Sequence, residues 1–575
     1  MDDNARCHVS GITRTAKKND AVMNSLTICN PDRKPYSVIK TEFLKRPKIL
    51  VFAILSVFIL LTLKYLTWNN DRYKMGALLD VGPEFFLYSR VQRTPFRGEK
   101  IVHLDLKGAP FKVTYYKNLF ELLSKLGATG VLIEYEDMFP YWGLWLKGVP
   151  AYNAYSPADI GVIVANAKKY NLTVIPLIQT FGHLEHILKL KDFIPFREVP
   201  SYPQVLCPTH ENTLNLIMEM VQQIVHLHPG IDKLHIGSDE VWYLGVCPRC
   251  KLFLQEKNIT PQQLFLHHVT RVATEIRNRY PKLRILMWDD HFRSMTYEDL
   301  NKTQIGKIIE PVVWKYTTNV FEDINFNVWE LYANVFPRIW LGSAFKGATG
   351  SKKYLPNVTH HFLNHRSWLS IVDQYQDRIN FEGFLLTGWQ RYDHFAVLCE
   401  LFPVAIPTLG MCLRLLLGFP ESFLLPSVEL TKVLECEQGE DLYNPAYSLP
   451  TCSYNGGDVL RVVQKFHLLK ESFESMLQNS KVEGWVDGYN IRNNFSNPYY
   501  VESGLEDLLG IKNELAQLQI NFRESMEPIF DNYTINEWED TYLTPLIFQA
   551  NKLYKFKENL LSRDDWPRRP LNVDL

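Results

Sequence analysis

Eight short apolar runs mark the middle of the chain, at residues 101–107, 130–137, 173–180, 233–240, 284–290, 308–316, 338–345 and 381–390. Each is rich in Val, Ile, Leu or Phe and too short for a buried helix, which predicts strands buried on both faces. Between them, at 115–126, 157–170, 213–228 and 261–280, apolar positions recur every three to four residues, as they do on one face of a helix. Ser156-Pro157 and Thr260-Pro261 place a capping hydroxyl ahead of a first-turn proline. Eight alternating strand and helix repeats predict an α/β fold, a closed (β/α)8 TIM barrel, over 98–425. Beyond that the strand pattern stops. Segments 459–478, 505–527 and 544–561 keep only helical spacing, which predicts an α-helical C-terminal domain over 426–575 that packs on the barrel, helps form a cleft or supports a homodimer.

The first residues follow a different rule. Residues 1–48 are polar and lack periodicity, as in a disordered tail, and the apolar stretch 49–68 has the length of a membrane crossing. Lys40, Lys45, Arg46 and Lys48 flank it on one side, whereas Lys64, Arg72 and Lys74 are diluted by Asp71 on the other. The positive-inside rule then predicts a single-pass type II membrane protein with a cytosolic tail and a transmembrane signal anchor. A stem follows over 69–97, and the catalytic domain stands in the secretory-pathway lumen (the Golgi being favoured) or outside the cell. Asn-x-Ser/Thr triplets at Asn171, Asn258, Asn301, Asn357, Asn494 and Asn532 all fall on that side, as expected of a glycoprotein. In such a compartment some of the cysteines are expected to pair. Cys247-Pro-Arg-Cys250 has the spacing of half a zinc site, but no second Cys or His pair follows at ligand spacing. A local disulfide or two thiols is expected there, with no metal and no cofactor.

Charge narrows the partners. With 62 Lys and Arg against 63 Asp and Glu, net charge −1 and pI near 7.0, the chain has no basic field for a nucleic acid. In a barrel of this kind the chemistry sits at the carboxyl ends of the strands. Those ends supply Asp105 and Lys107; Glu134, Glu136 and Asp137; Gln179 and His183; Asp239 and Glu240; and Trp288, Asp289 and Asp290. The later runs add Glu310, Trp314 and Tyr316; Phe345 and Lys346; and Trp389, Arg391, Tyr392 and Asp393. His183 and His186 form the one histidine pair that could hold a metal, but no third ligand accompanies them in an established pattern.

Carboxylates beside indoles suit glycoside hydrolysis. Sugar rings present apolar faces to tryptophan, and an oxocarbenium-like transition state needs an acid and a negative partner. Asp239 and Glu240 are adjacent, so they are poorly placed to flank one glycosidic bond from opposite faces. Their labour is better divided, with one moving the proton and the other steering a nucleophile that the substrate carries.

Five motifs in order share a known pattern: His103-Leu-Asp-Leu-Lys-Gly-Ala-Pro110, Glu134-Tyr-Glu-Asp-Met-Phe-Pro140, Gln179-Thr-Phe-Gly-His183, His235-Ile-Gly-Ser-Asp239-Glu240 and Thr387-Gly-Trp-Gln-Arg-Tyr-Asp-His394. Over roughly 98–420 the chain resembles glycoside hydrolase family 20, in its hexosaminidase D branch. The resemblance implies retaining exo-hydrolysis of terminal β-linked N-acetylgalactosamine or N-acetylglucosamine, with a leaning to the former. It implies Glu240 as general acid and then base, and Asp239 as the anion that orients the substrate's acetamido group while an oxazolinium forms. It further implies Trp288, Trp314 and Trp389 as walls of the sugar site, and Asp105, Lys107, His183 and Asp393 as hydroxyl contacts or supports of the acid. Two departures from the lysosomal members stand out. Lys107 replaces an arginine, and Ser343-Ala-Phe-Lys-Gly347 lacks the tyrosine that holds the acetamido oxygen, leaving Tyr316 or Tyr392 to replace it. The competing expectations are a non-catalytic glycan-binding membrane protein on the same barrel, and a Golgi glycosyltransferase, against which the absence of an Asp-x-Asp motif counts.

Overall fold

The computed structural model describes residues 94–424, 426–437, 442–443 and 449–571. Strands β1 (Glu99–Asp105), β2 (Gly130–Glu134), β3 (Thr173–Leu177), β4 (Lys233–His235), β5 (Arg284–Trp288), β6 (Ile309–Trp314), β7 (Ile339–Lys346) and β8 (Phe381–Gly388) close into a parallel barrel in chain order, with β8 pairing back onto β1. Each lies within one of the apolar runs or differs from it by a residue or two. Except for β7, the strands stop before their runs do, because the polar residues at those ends leave the ladder and turn over the barrel mouth. The shortest is β4, which ends at His235 rather than Glu240. Its pairing with β3 is a single register pair, Leu177 with His235.

Inside the barrel, Ile101, Leu132, Ile175, Leu177, Leu286, Val312 and Leu385 pack with Trp288 and Trp340. Trp314 and Trp389 close the upper layer, half-buried. The amino end is sealed by a polar cluster. Glu310 takes a two-pronged contact from Arg284 (2.8 and 2.6 Å), a third from Arg338 (2.9 Å) and the Trp340 indole N–H (2.9 Å). Glu310 is the second residue of β6, not its end, so its expected place at the mouth is corrected. The acid neutralises the barrel floor through charge-assisted bonds.

The helices expected between strands form at Tyr115–Lys125, Pro157–Lys169, Thr213–Leu227 and Pro261–Arg279. Ser156 with Asp159 and Thr260 with Gln263 make reciprocal capping boxes, as the Ser-Pro and Thr-Pro pairs predict. After the barrel, helices Gly457–Leu477, Leu508–Met526 and Thr544–Leu561 follow the expected spacing. They join the barrel's flank through a polar and an aromatic seam. Arg391, just past β8, donates to both carboxylate oxygens of Glu537 (2.7 and 2.8 Å) and to Lys107 O (2.9 Å). Phe111 packs its ring on Phe402 and Phe530, while Lys112 N donates to Ile529 O (2.7 Å). A disulfide joins Cys436 to Cys452, so part of the expected pairing is present.

The type II membrane placement is corrected. No helix among the described residues is long and apolar enough to cross a bilayer, and the 49–68 run lies outside the described residues. Helix Phe402–Leu416 is wholly buried, but its 15 residues reach roughly 22 Å at 1.5 Å each, short of a ~30 Å hydrocarbon core. Its apolar surface is spent on packing within the fold. The lumenal placement inferred from that anchor falls with it.

Candidate active site

The acid pair stands on a backbone turned out of the sheet. After β4, Gly237, Ser238 and Glu240 all adopt left-handed conformations (φ 61°, 69° and 50°). Such a conformation is costly for Ser and Glu, and it is held here by specific contacts. Ser238 N donates to Gln179 Oε1 (3.2 Å), Glu240 N to Asp290 Oδ2 (3.0 Å), and Val241 N to His291 Nε2 (2.9 Å). The turn brings both carboxylates to the mouth, each more than nine-tenths buried.

The loop after β3 supplies their cation. His183, also left-handed (φ 51°), places Nε2 at 3.1 Å from Glu240 Oε2 and 3.7 Å from Asp239 Oδ2, while Nδ1 is 3.6 Å from Glu185 Oε1. The two loops touch at Gly182, where a Cβ would meet Asp239 O at 2.0 Å. Burial disfavours the imidazolium, but the charges of Asp239, Glu185 and Glu240 override it and hold the His183 pKa well above its usual value. Asp239 moves the other way from an ordinary aspartate. Burial, with repulsion from Asp290, Glu240 and Glu134, pushes it up to about 7 against the pull of His183. Near neutrality Asp239 is therefore poised between its two protonation states.

A second charged layer lies under β1 and β2. Lys107 Nζ is 3.2 Å from Asp105 Oδ1, 3.4 Å from Glu134 Oε1 and 3.8 Å from Glu136 Oε1, and it sits over the Trp389 ring at 5.1 Å. Burial opposes its charge, yet the three carboxylates raise its pKa further. Asp105 also accepts Gln390 N (2.8 Å), which ties β1 to the end of β8. Glu134 pairs with His103 (3.0 Å). Burial works against its charge, but Lys107 and His103 hold its pKa low, whereas burial and its carboxylate neighbours push Glu136 up despite Lys107.

Aromatic rings line the space between these layers. Trp288 and Trp389 centroids are 6.0 Å apart, and Trp314 lies tilted against Tyr316 at 5.3 Å. The indole N–H groups of Trp288 and Trp314 and the Asp239 Oδ1 atom are buried and have no partner among the described residues. Tyr316 reaches Thr387 and Trp389, and burial together with the Asp239 and Glu240 charges raises its pKa. Tyr392 faces elsewhere, accepting the Gly350 N–H (2.9 Å). Asp393 caps its own turn through Phe395 N (2.7 Å) and Ala396 N (2.9 Å). It lines a groove of about 300 Å3 with Glu185, Tyr202, Trp242 and Tyr243, outside the acid pair. Of the two tyrosines left open by the sequence, Tyr316 feels the Asp239 and Glu240 charges, and Tyr392 is bonded to Gly350 N.

One support, His291, was not singled out by sequence, and three residues that were have other places than the acid pair suggested. Asp290 was read as a strand-end acid, and it anchors Glu240 through the backbone. His291, which binds Val241 N, carried no signal. Asp289 is structural, held by both prongs of Arg293 (2.8 and 2.6 Å) and by Tyr332 OH (2.8 Å). His186 does not join His183. It lies by Glu136 and His394, whose Nε2 bonds Glu136 Oε2.

The sequence as a whole is similar to known proteins. Residues 114–322 match the glycosyl hydrolase family 20 catalytic domain. The chain is 37% identical over 465 residues to human Hexosaminidase D, covering 80% of this chain and 94% of that protein. It is 44% identical over 319 residues to bovine Hexosaminidase D, covering 55% of this chain and 92% of that protein. Among solved structures, the Flavobacterium johnsoniae chitobiase aligns with TM-score 0.45 and 15% identity over 81% of this chain and 72% of that one. The chain thus belongs, as a glycoside hydrolase, to the hexosaminidase D group of glycosyl hydrolase family 20.

Proposed function

We propose that the chain is a retaining exo-β-N-acetylhexosaminidase that removes terminal N-acetylgalactosamine or N-acetylglucosamine by substrate-assisted catalysis. The observation that carries this reading is the His183-bridged pair of adjacent, buried carboxylates, one of them with a pKa of about 7. Glu240 protonates the glycosidic oxygen and then deprotonates the incoming water. Asp239 accepts the acetamido N–H. That bond stabilises its charged form, so substrate binding lowers its pKa and keeps it the anion that faces the developing positive charge. The acetamido oxygen attacks the anomeric carbon at short range, and the cationic ring that forms is faced by Asp239. Tyr316 holds the acetamido oxygen, Trp288, Trp314 and Trp389 wall the sugar, and Asp105 and Lys107 bind its hydroxyls. Asp393 acts further out, in the groove where Trp242 and Tyr243 are exposed, which suits the remainder of a glycan.

The test is release of 4-nitrophenol from its β-GalNAc and β-GlcNAc glycosides, with the first-formed anomer read by NMR. The expected result is a β-configured product, with kcat lowered about 10²- to 10⁴-fold in Glu240→Gln. Turnover unchanged by that substitution, or an α-configured product, excludes the mechanism.

A further inference from the structure

A cluster of sulfur and oxygen lies between the segments that follow β3 and β4 and takes no part in this chemistry. Glu198, Cys207, Cys247 and Cys250 are all buried, and one ligand atom from each lies within 4.8 Å of all the others. Cys207 Sγ is 3.5 Å from Cys247 Sγ and 3.6 Å from Cys250 Sγ, and Cys250 Sγ is 3.1 Å from Glu198 Oε2. A disulfide needs sulfurs about 2.05 Å apart. Four ligands around Zn2+, with Zn–S of about 2.3 Å, set neighbouring sulfurs about 3.8 Å apart. The observed spacings match the second arrangement.

The local structure is also that of a ligand set. Cys247 caps helix Pro248–Lys257, and Cys250 N donates to its sulfur (3.3 Å), so both sulfurs of the Cys-Pro-Arg-Cys turn face one point. The third comes from Cys207, at the end of a two-stranded ribbon (Arg197–Val199 with Tyr202–Leu206) that the linear spacing could not reveal. Glu198, on the ribbon's other strand, is aimed by its own bonds. Its Oε1 accepts Val246 N (2.7 Å) and Cys247 N (3.0 Å), which leaves Oε2 turned to the sulfurs. Bonds of this kind fix the orientation of a metal-binding carboxylate. Thr209 Oγ1 lies 3.2 Å from Cys250 Sγ and 3.4 Å from Cys207 Sγ, in place to donate to thiolates. Burying a carboxylate among three sulfurs is costly unless positive charge compensates it, and Arg249, which hydrogen-bonds Cys207, supplies part of that charge.

We propose that Glu198, Cys207, Cys247 and Cys250 bind a structural Zn2+ with Cys3Glu coordination. Thiolate-rich tetrahedral donors favour zinc over harder cations, and four protein ligands leave no open position for catalysis. The ion joins the two loops that carry the acid pair and its cation. On one side, the Cys207 strand is bonded to the His183 loop through Leu206 N to Phe181 O (3.1 Å) and Leu184 N to Gln204 O (3.0 Å). On the other, Cys247 follows directly on the chain leaving Glu240. Where spacing alone suggested a local disulfide or two thiols, the fold supplies the missing two ligands from elsewhere in the chain.

The test uses the full chain, equilibrated with Zn2+ and dialysed, then analysed for metal by mass spectrometry. The expected result is a single zinc per chain, lost in Cys250→Ser and kept in Glu198→Cys. Because a cysteine variant can fail to fold, a second measurement uses wild-type protein loaded with Co2+. Tetrahedral thiolate coordination should give intense visible d–d bands and a sulfur-to-cobalt charge-transfer band, the latter strengthened in Glu198→Cys. Folded wild-type protein carrying less than stoichiometric zinc, or a weak octahedral Co2+ spectrum, overturns the proposal. Neither readout depends on hydrolase activity.

Discussion

His183 and Glu240 meet through a single contact of 3.1 Å between Nε2 and Oε2, made from two loops that both pass through left-handed backbone. The imidazole is held protonated by the carboxylates it touches, and in return it pulls the Asp239 pKa down from where burial alone would set it.

Removing His183 should therefore move a pH profile as well as a rate. In His183→Ala the Asp239 pKa rises further, so the acidic limb of kcat/KM shifts to higher pH, since the proposed mechanism needs Asp239 ionised. Loss of a charge-assisted bond of about 1.5–3 kcal/mol lowers kcat/KM by roughly 10- to 100-fold at pH 6. His183→Gln keeps a donor without the charge and should recover rate without restoring the limb. An unmoved limb in both variants would show that His183 supports the loop and not the ionisation.

Asp239 should also cost the enzyme stability. Its carboxyl has a pKa of about 7 in the native state against about 3.9 when unfolded. The native state therefore binds more protons across that window. Stability contributed by the bound proton is complete below about pH 4, declines as pH rises, and is lost above about 7. Asp239→Asn removes the titration. Its melting temperature should exceed that of the wild type by a few degrees at pH 8 and match it near pH 4, while activity on N-acetyl substrates collapses. A variant less stable than wild type at pH 8 would contradict this account of the buried charge.

How much of this was legible in the chain depends on whether the signal is local. The eight strands and their helices were, because apolar runs and Ser-Pro and Thr-Pro caps are properties of neighbouring residues. Asp239, Glu240 and His183 were legible as polar residues just past strand ends on that scaffold, and the fold brings them into contact there. Glu310 lies near the start of its run, which in a parallel strand means the amino end of the barrel, and its partners Arg284, the first residue of β5, and Arg338, just before β7, meet it there. His291, Glu198 and Cys207 escaped because each acts on a residue that only the fold brings near. Tyr316 and Tyr392 were equivalent in sequence and differ in space, one feeling the Asp239 and Glu240 charges and one bonded to Gly350 N.

Gly237 tests whether the turn after β4 is the element that sets the acid pair. A Cβ there would lie 1.8 Å from Gln179 Oε1 and 2.5 Å from its Cδ, on a backbone with φ of 61°. In Gly237→Ala the left-handed backbone costs about 1–2 kcal/mol. Gln179 must also swing away, breaking its bonds to Ser238 N (3.2 Å) and Glu134 Oε1 (3.4 Å). Gln179→Ala alone leaves a buried N–H unpaired, a cost of about 1–3 kcal/mol. Each single variant should thus lose activity, but the losses share a cause, so the double variant Gly237→Ala/Gln179→Ala should fall little below Gly237→Ala alone. A double-mutant cycle on kcat/KM is expected to return a coupling of about 0.5–3 kcal/mol. Strict additivity would mean that the two positions act on the carboxylates independently, and that the glycine is needed for its backbone angle and not for the space it leaves to Gln179.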